Sequence, residues 1–108
     1  MTVKALTNTE LFNAVVLSEP EREIFGVYIG DLLSWVMGKA ESGDAWLTIM
    51  SNLNILAVAS LTDVACIILA EDVKLEQEVI ETAKEKSINI ISTECSIYDA
   101  AVFLSQIL

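Results

Sequence analysis

The sequence predicts an α/β fold with a mostly parallel sheet, built as a two-layer or three-layer sandwich. From residue 45 onward, apolar or β-branched runs alternate with segments whose apolar residues recur at helical spacing. The run at residues 64–69 is apolar throughout, which is typical of a parallel strand buried on both faces. Because such alternation implies right-handed crossovers, we expect neighbouring strands to run parallel. The chain has 108 residues, of which 54% are hydrophobic, and we expect a single domain over residues 1–108.

The first part of the chain is predicted to contain two short helices and three strands. Thr2 is a suitable N-cap for a helix over residues 2–6, and Asp31 for a helix over residues 32–39. Gly26 indicates a bulge or a close backbone approach within a strand. The predicted strands cover residues 11–17, 24–29 and 45–50, and the last one follows turn residues at 41–44.

The second part continues the alternation. Ser51 is a suitable N-cap for the first helix of this part, and Ser96 with Asp99 forms a capping box for the last. The middle helix is amphipathic, with acidic residues opposite an apolar stripe of Leu75, Val79, Ile80 and Ala83. The predicted helices are residues 52–61, 75–86 and 97–107, and the predicted strands are residues 64–69 and 88–91.

The charge of the chain excludes two classes of partner. Sixteen acidic and six basic residues give a net charge of −10, so neither nucleic acid nor an anionic membrane surface is expected to bind. The mean hydropathy of +0.56 is high for a small domain. Either some apolar residues face a protein partner, or the sheet is covered on both faces, and both can hold.

Residues 53–70 are apolar enough to suggest a membrane span, and we reject that interpretation. Asn54, Ser60, Thr62 and Asp63 interrupt the run, and a span needs about 20 predominantly apolar residues. A helix, a tight turn and a buried strand explain it better. The N-terminal residues lack the apolar segment of a secretory signal, so we expect a cytoplasmic protein.

The sequence offers little catalytic chemistry. It has no histidine, and Cys66 and Cys95 are expected to be structural. Asp31, Asp44 and Asp63 could be paired carboxylates, but each stands where a cap or turn favours aspartate. We therefore predict no catalytic residues, no metal site and no cofactor.

Polar residues follow the predicted strands at what would be the carboxyl edge of the sheet. Helix N-termini at such an edge attract anions, so these residues could bind a phosphate or a carboxylate, or they could simply cap their own helices. Glu71, Asp72 and Glu94 would repel an anion from two junctions, which leaves the junction at Ser51 as the best candidate. The candidate ligand-binding residues are Ser51, Asn52, Asn54, Thr93 and Ser96.

Large apolar side chains are the candidates for a protein interface. Tryptophan is enriched at the centre of interfaces, although most tryptophans of small domains lie in the core. The candidate interface residues are Trp35, Met37, Trp46 and Met50.

Several segments together resemble the DRTGG domain family over nearly the whole chain. The naming motif falls on EREIFG at residues 21–26, where Arg22 and Gly26 match. The better matches are GDLLS at residues 30–34, GDAWLTI at residues 43–49 and NILAVA at residues 54–59. Domains of this family occur beside CBS pairs in regulatory pyrophosphatases and within long phosphotransacetylases, and their fold is similar to the N-terminal domain of HPr kinase/phosphorylase.

The resemblance implies an α/β sandwich that serves regulation or assembly, often dimerises, and has no established catalytic residues. Our leading hypothesis is a non-enzymatic regulatory module that forms a homodimer through an apolar face. The alternative is a sensor that binds a nucleotide or another anionic metabolite near Ser51.

Overall fold

The structure is a computed structural model that describes residues 1–108, and it contains one five-stranded sheet between two layers of helices. The strand order is β1-β5-β4-β3-β2; β2 to β5 run parallel, and β1 is antiparallel to β5. The predicted α/β fold with a mostly parallel sheet is confirmed. The elements in chain order are α1 (Val3–Thr7), β1 (Asn13–Val16), β2 (Gly26–Ile29), α2 (Leu33–Lys39), β3 (Asp44–Thr48), α3 (Asn54–Thr62), β4 (Cys66–Leu69), α4 (Gln77–Glu85), β5 (Ile90–Ser92) and α5 (Ile97–Ile107).

The two faces of the sheet carry separate cores, so the sandwich has three layers. Side chains alternate between faces along a strand, and Trp46 and Ile67 pack on one face while Leu47 and Ile68 pack on the other. Helices α2, α3 and α4 cover the first face, and α1 and α5 cover the second. Strands β3 and β4 are buried at every position, as expected for the centre of a parallel sheet.

The predicted elements are all present in the predicted order, and most are shorter than predicted. Helix α5 has the predicted bounds, and the Ser96 hydroxyl accepts a hydrogen bond from the Asp99 amide at 3.0 Å. The Thr2 hydroxyl likewise caps α1 by accepting from the Ala5 amide. Helix α4 begins at Gln77 and buries the Val79 and Ala83 positions of the predicted stripe.

Two predicted helix caps are wrong. The Asp31 carboxylate does not cap α2; it accepts hydrogen bonds from the Thr48 hydroxyl at 2.7 Å and the Ile49 amide at 3.1 Å. Ser51 does not cap α3, because the Asn52 side chain accepts from the Asn54 amide instead. Asp31 thus bonds to partners that helical spacing alone does not reveal, and no side chain caps the N-terminus of α3 at Leu53.

The apolar run at residues 53–70 forms helix α3, a turn and the buried strand β4, as predicted. The turn is made by Asp63, whose backbone is left-handed with φ of 58°. No helix of the chain combines the length and the apolar character needed to cross a membrane.

Candidate functional site

A cleft of about 480 Å³ opens at the carboxyl edge of the sheet, where the sequence predicts a ligand site. One wall is the loop from β3 into α3, which includes Ser51 and Asn52. The other wall is the start of α4 and the loop before it, which includes Lys74. The cleft therefore contains two of the five predicted ligand residues, and Asn54 follows them as the first residue of α3. We call it the Ser51 cleft.

The N-terminus of α3 offers few free donors to this cleft. The Asn54 amide donates to the Asn52 side chain, and the Ile55 amide donates to the Asn52 carbonyl. The Leu56 amide donates to the Leu53 carbonyl. Because the first amides of α3 are already paired here, an anion would depend on side chains and on the amides of the loop before α3.

The charges around the cleft are mixed. Lys74 donates to the Asp72 carboxylate at 2.8 Å, and this hydrogen bond raises the pKa of the lysine. Glu76 and Glu78 also line the cleft. Lys74 is thus the one cationic side chain that an anionic ligand could use there, and it is exposed enough to leave Asp72.

Thr93 and Ser96 lie away from the Ser51 cleft. Strand β4 separates β3 from β5, and Thr93 lines a different hollow of about 300 Å³ beside β1. The Thr93 hydroxyl accepts from the Cys95 amide, and Ser96 caps α5. The structure therefore does not bring the five predicted ligand residues together.

The three aspartates considered for chemistry have separate structural partners. Asp31 bonds to the end of β3, and the Asp44 carboxylate accepts from the Glu41 amide at 2.9 Å. Asp63 accepts from the Ser42 hydroxyl and forms an ion pair with Arg22 at 3.1 Å. These bonds, led by the one from Ser42, lower the pKa of Asp63. No three carboxylates or thiols come close enough to hold a metal ion.

The two cysteines differ in their surroundings. Burial raises the pKa of the Cys66 thiol to about 12, so it remains protonated in the core. Cys95 is half-buried just before α5. The structure has no disulfide.

The predicted interface residues fall into three environments. Trp35 and Met37 are exposed on α2, and Met50 is half-buried against the core. Trp46 is fully buried, and its indole N–H donates to the Gly30 carbonyl at 2.9 Å. Trp46 is therefore a core residue and not an interface residue, because β3 directs its side chain toward helices α2, α3 and α4.

Exposed apolar side chains lie on strand β2, an edge of the sheet, and on the segments that precede and follow it. We define this β2-edge surface by its members, which are Phe25, Val27, Ile29, Leu32 and Trp35. The sequence interpretation included only the last of them. A signal was available, because residues 24–38 contain a single charged residue, Asp31, in a chain whose net charge is −10.

A comparison with protein-family models matches residues 10–107 to the DRTGG domain. This chain belongs to the DRTGG domain family. The match covers most of the chain and agrees with the resemblance carried by its motifs. A search of curated proteins finds none that matches the sequence.

A solved structure shares the fold of this DRTGG domain. It is the crystal structure of the CBS and DRTGG domains from the regulatory region of Clostridium perfringens pyrophosphatase, complexed with an activator, diadenosine tetraphosphate. The TM-score is 0.65 and the sequence identity is 20%. The match covers 83% of the present chain and 40% of that chain, so the pyrophosphatase region is considerably longer.

The two matching residues of the naming motif have structural roles in this DRTGG domain. The Arg22 guanidinium donates to the Asp63 carbonyl at 2.7 Å and so binds the end of α3. A Cβ atom on Gly26 would lie 2.8 Å from the Asp44 carboxylate oxygen, so only glycine leaves room for Asp44. Both contacts lie at the amino ends of the parallel strands, opposite the carboxyl ends where the Ser51 cleft opens.

Proposed function

We propose that residues 1–108 act as one non-enzymatic regulatory or interaction module that forms a homodimer through the β2-edge surface. The observation that carries this proposal is the exposure of that surface. Phe25 is 80% exposed and Trp35 is 57% exposed, although both are large apolar side chains. Apolar patches of this kind commonly mark interaction sites.

The polar groups at the sheet edges support a role without catalysis. The carboxylates of Asp31, Asp44 and Asp63 each accept hydrogen bonds that hold turns and strand ends in place. A general acid or base needs a group that is free to exchange a proton with a substrate. The domain family and the related pyrophosphatase regulatory region also fit a regulatory role.

Light scattering after size-exclusion chromatography tests the dimer. At micromolar concentration we expect a mass of about twice the 11.8 kDa of one chain. A mass of one chain over the whole concentration range would refute the dimerisation proposal.

A second candidate function is a sensor that binds a nucleotide or an anionic metabolite in the Ser51 cleft. Its volume of about 480 Å³ lies in the range of small-molecule sites, roughly 300–1,000 Å³. Lys74 supplies the positive charge, while Ser51 and Asn52 supply hydrogen-bonding groups. The related regulatory region binds diadenosine tetraphosphate, which makes that compound a suitable first probe.

Thermal unfolding with ATP, acetyl phosphate and diadenosine tetraphosphate tests the sensor. A ligand at 100 times its Kd should stabilise the native state by about 2.7 kcal/mol. Lys74→Ala should abolish the shift, whereas Lys39→Ala, outside the cleft, should retain it. If no probe at millimolar concentration changes the unfolding temperature, or if Lys74→Ala retains the full shift, this candidate fails.

A further inference from the structure

We propose that two copies of this chain join by antiparallel pairing of their β2 strands across a twofold axis, which continues the sheet from one copy into the other. The inference rests on the proposed dimerisation and specifies its geometry. It follows from the backbone of β2, the side chains on both sides of that strand, and the distribution of charge.

The outer edge of β2 has unpaired backbone groups. The Gly30 amide donates to the Leu47 carbonyl at 3.3 Å, and Tyr28 is in register with Trp46. In a parallel ladder alternate residues bond to the same neighbour. Tyr28 and Gly30 therefore face β3, while the N–H and C=O groups of Val27 and Ile29 face the free edge.

These free groups suit a symmetric partner. With Tyr28 on a twofold axis, Val27 of one copy lies opposite Ile29 of the second copy. Each such pair exchanges two backbone hydrogen bonds, and the symmetry repeats the pair. A second copy of β2 therefore satisfies every backbone group that the strand leaves open.

Apolar side chains lie on both faces beside this edge. Val27 and Ile29 are in register with Ala45 and Leu47 on the face covered by α1 and α5, yet both remain exposed. On the other face, α2 presents Trp35 on one flank. Right-handed crossovers place α3 beside the opposite flank of α2, so the flank with Trp35 lies over the free edge of β2.

The exposed area approaches what a stable dimer needs. A covered Phe or Trp side chain buries about 150–250 Å². At the observed exposures, Phe25 and Trp35 alone would contribute roughly 200–350 Å². Val27, Ile29 and Leu32 add to this on each copy, and a standard interface buries about 800 Å² per partner.

The charge pattern favours a second copy over a charged partner. A chain with a net charge of −10 repels its own copies wherever acidic side chains are exposed. The β2-edge surface has no charged member. Of the charges beside it, Asp31 is bonded to Thr48 and Ile49, and the Lys39 ammonium lies 4.2 Å from the centre of the Trp35 ring. Two copies can therefore approach here with little repulsion, whereas a basic partner would be attracted to other surfaces.

Sedimentation equilibrium of two matched variants tests the location. Ile29→Asp adds a charge at the centre of the proposed interface, and Leu61→Asp adds the same charge to another exposed apolar position, on α3. Ile29→Asp should raise the dimer dissociation constant at least about tenfold, because it buries an unpaired charge. Leu61→Asp should leave that constant unchanged. Equal dissociation constants of the two variants would overturn the placement of the interface at β2.

Amide hydrogen exchange of the unmodified chain tests the geometry without any substitution. Above the dissociation constant, the Val27 and Ile29 amides should exchange slowly, and on dilution they should become fast. The Tyr28 amide should be slow in both states because it faces β3.

The outcomes distinguish the two proposals. A chain that is monomeric throughout refutes the proposed dimer and this inference together. A dimer whose Val27 and Ile29 amides exchange fast refutes strand pairing and leaves dimerisation intact. A monomer whose two amides become slow only with an added extended peptide has another protein's strand at this edge, which also overturns self-pairing.

Discussion

The two edges of the sheet are protected to very different degrees. Strand β1 pairs antiparallel with β5 and shifts register between Ala14 and Val16, an irregularity that disrupts pairing with a further strand. Helix α4 packs against β1, and the Phe12 ring lies 5.7 Å from the Phe103 ring on the other face. Strand β2 pairs in unbroken register with β3 and has exposed apolar neighbours on both faces.

The side chains that anchor the two edges also differ. On the β1 side, the buried Asn89 side chain forms hydrogen bonds with the backbone of Glu19 and Ala65. On the β2 side, Trp46, Asp31 and Arg22 hold the segments that flank the strand. Both edges are therefore firmly attached to the sheet, but only β2 leaves a regular, apolar edge open. An unprotected strand edge makes a monomer prone to aggregate, whereas in an oligomer the same edge can pair with another subunit.

Trp46→Ala should have the largest effect, because it detaches the end of β2 from the core. The substitution leaves a cavity under α2 and removes the hydrogen bond to Gly30, which should cost about 3–5 kcal/mol of unfolding free energy. Urea denaturation measures the loss. Trp35→Ala, which removes an exposed ring, should cost well under ~1 kcal/mol in the monomer. A comparable loss in both variants would contradict the assignment of Trp46 to the core.

Asn89→Leu tests the attachment of the β1 side. It leaves the Glu19 amide and the Glu19 and Ala65 carbonyls without their partner, and we expect a loss of about 2–4 kcal/mol of unfolding free energy. Asn13→Leu, at an exposed position of β1, should change stability by no more than about 0.5 kcal/mol. Neither variant should weaken the dimer under conditions in which the chain is folded. Loss of the dimer in Asn13→Leu would place the interface at the β1 edge and not at the β2 edge.

Asp31→Ala tests the turn that joins β2 to α2. It removes the acceptor of the buried Thr48 hydroxyl and of the exposed Ile49 amide, and we expect a loss of about 1–2 kcal/mol of unfolding free energy. Asp31→Asn retains an oxygen acceptor, so it should recover part of the loss. Denaturation curves of the three proteins give the comparison, and an Asn variant no better than the Ala variant would show that these hydrogen bonds contribute little.

The smallest effect should come from the acid sensitivity of Asp63. Hydrogen bonds from Ser42 and Arg22 place its pKa below the ordinary value of 3.8, so its stabilising contribution is complete above that value and is lost as the pH falls through the folded pKa. The carboxylate is exposed, and screening keeps the contribution below ~1 kcal/mol. Asp63→Asn, which tolerates the left-handed backbone, should flatten the decline in stability as the pH falls below 3.8 and through the lowered pKa. If the pH dependence of stability is the same in this variant, groups other than Asp63 cause the acid sensitivity.

Local pattern predicted the architecture well because the alternation of elements determines a parallel sheet almost by itself. The apolar run at residues 64–69 and the stripe of α4 predicted a buried strand and an amphipathic helix, and both are confirmed. The caps at Thr2 and Ser96 are also confirmed, since their partners lie three residues away.

Features that depend on distant partners could not be predicted in the same way. Asp31 bonds to residues 48 and 49, which no short motif connects to it. Thr93 and Ser51 both follow strands, but β4 lies between those strands and the predicted site is divided. The sequence does not reveal the β2-edge surface, because its exposure depends on β2 being an outer strand. The order of elements along the chain does not determine which strand is outermost.

The contrast between the two tryptophans provides an internal optical reporter of assembly. Trp35 lies on the β2-edge surface with the Lys39 ammonium 4.2 Å from its ring centre, while Trp46 is enclosed in the core. A soluble quencher reaches the first indole in the free chain and has no access to the second. Trp35 fluorescence should therefore become shielded when the edge is covered, while Trp46 emission reports the folded state independently. The unmodified chain can thus signal assembly and unfolding separately, without an attached dye.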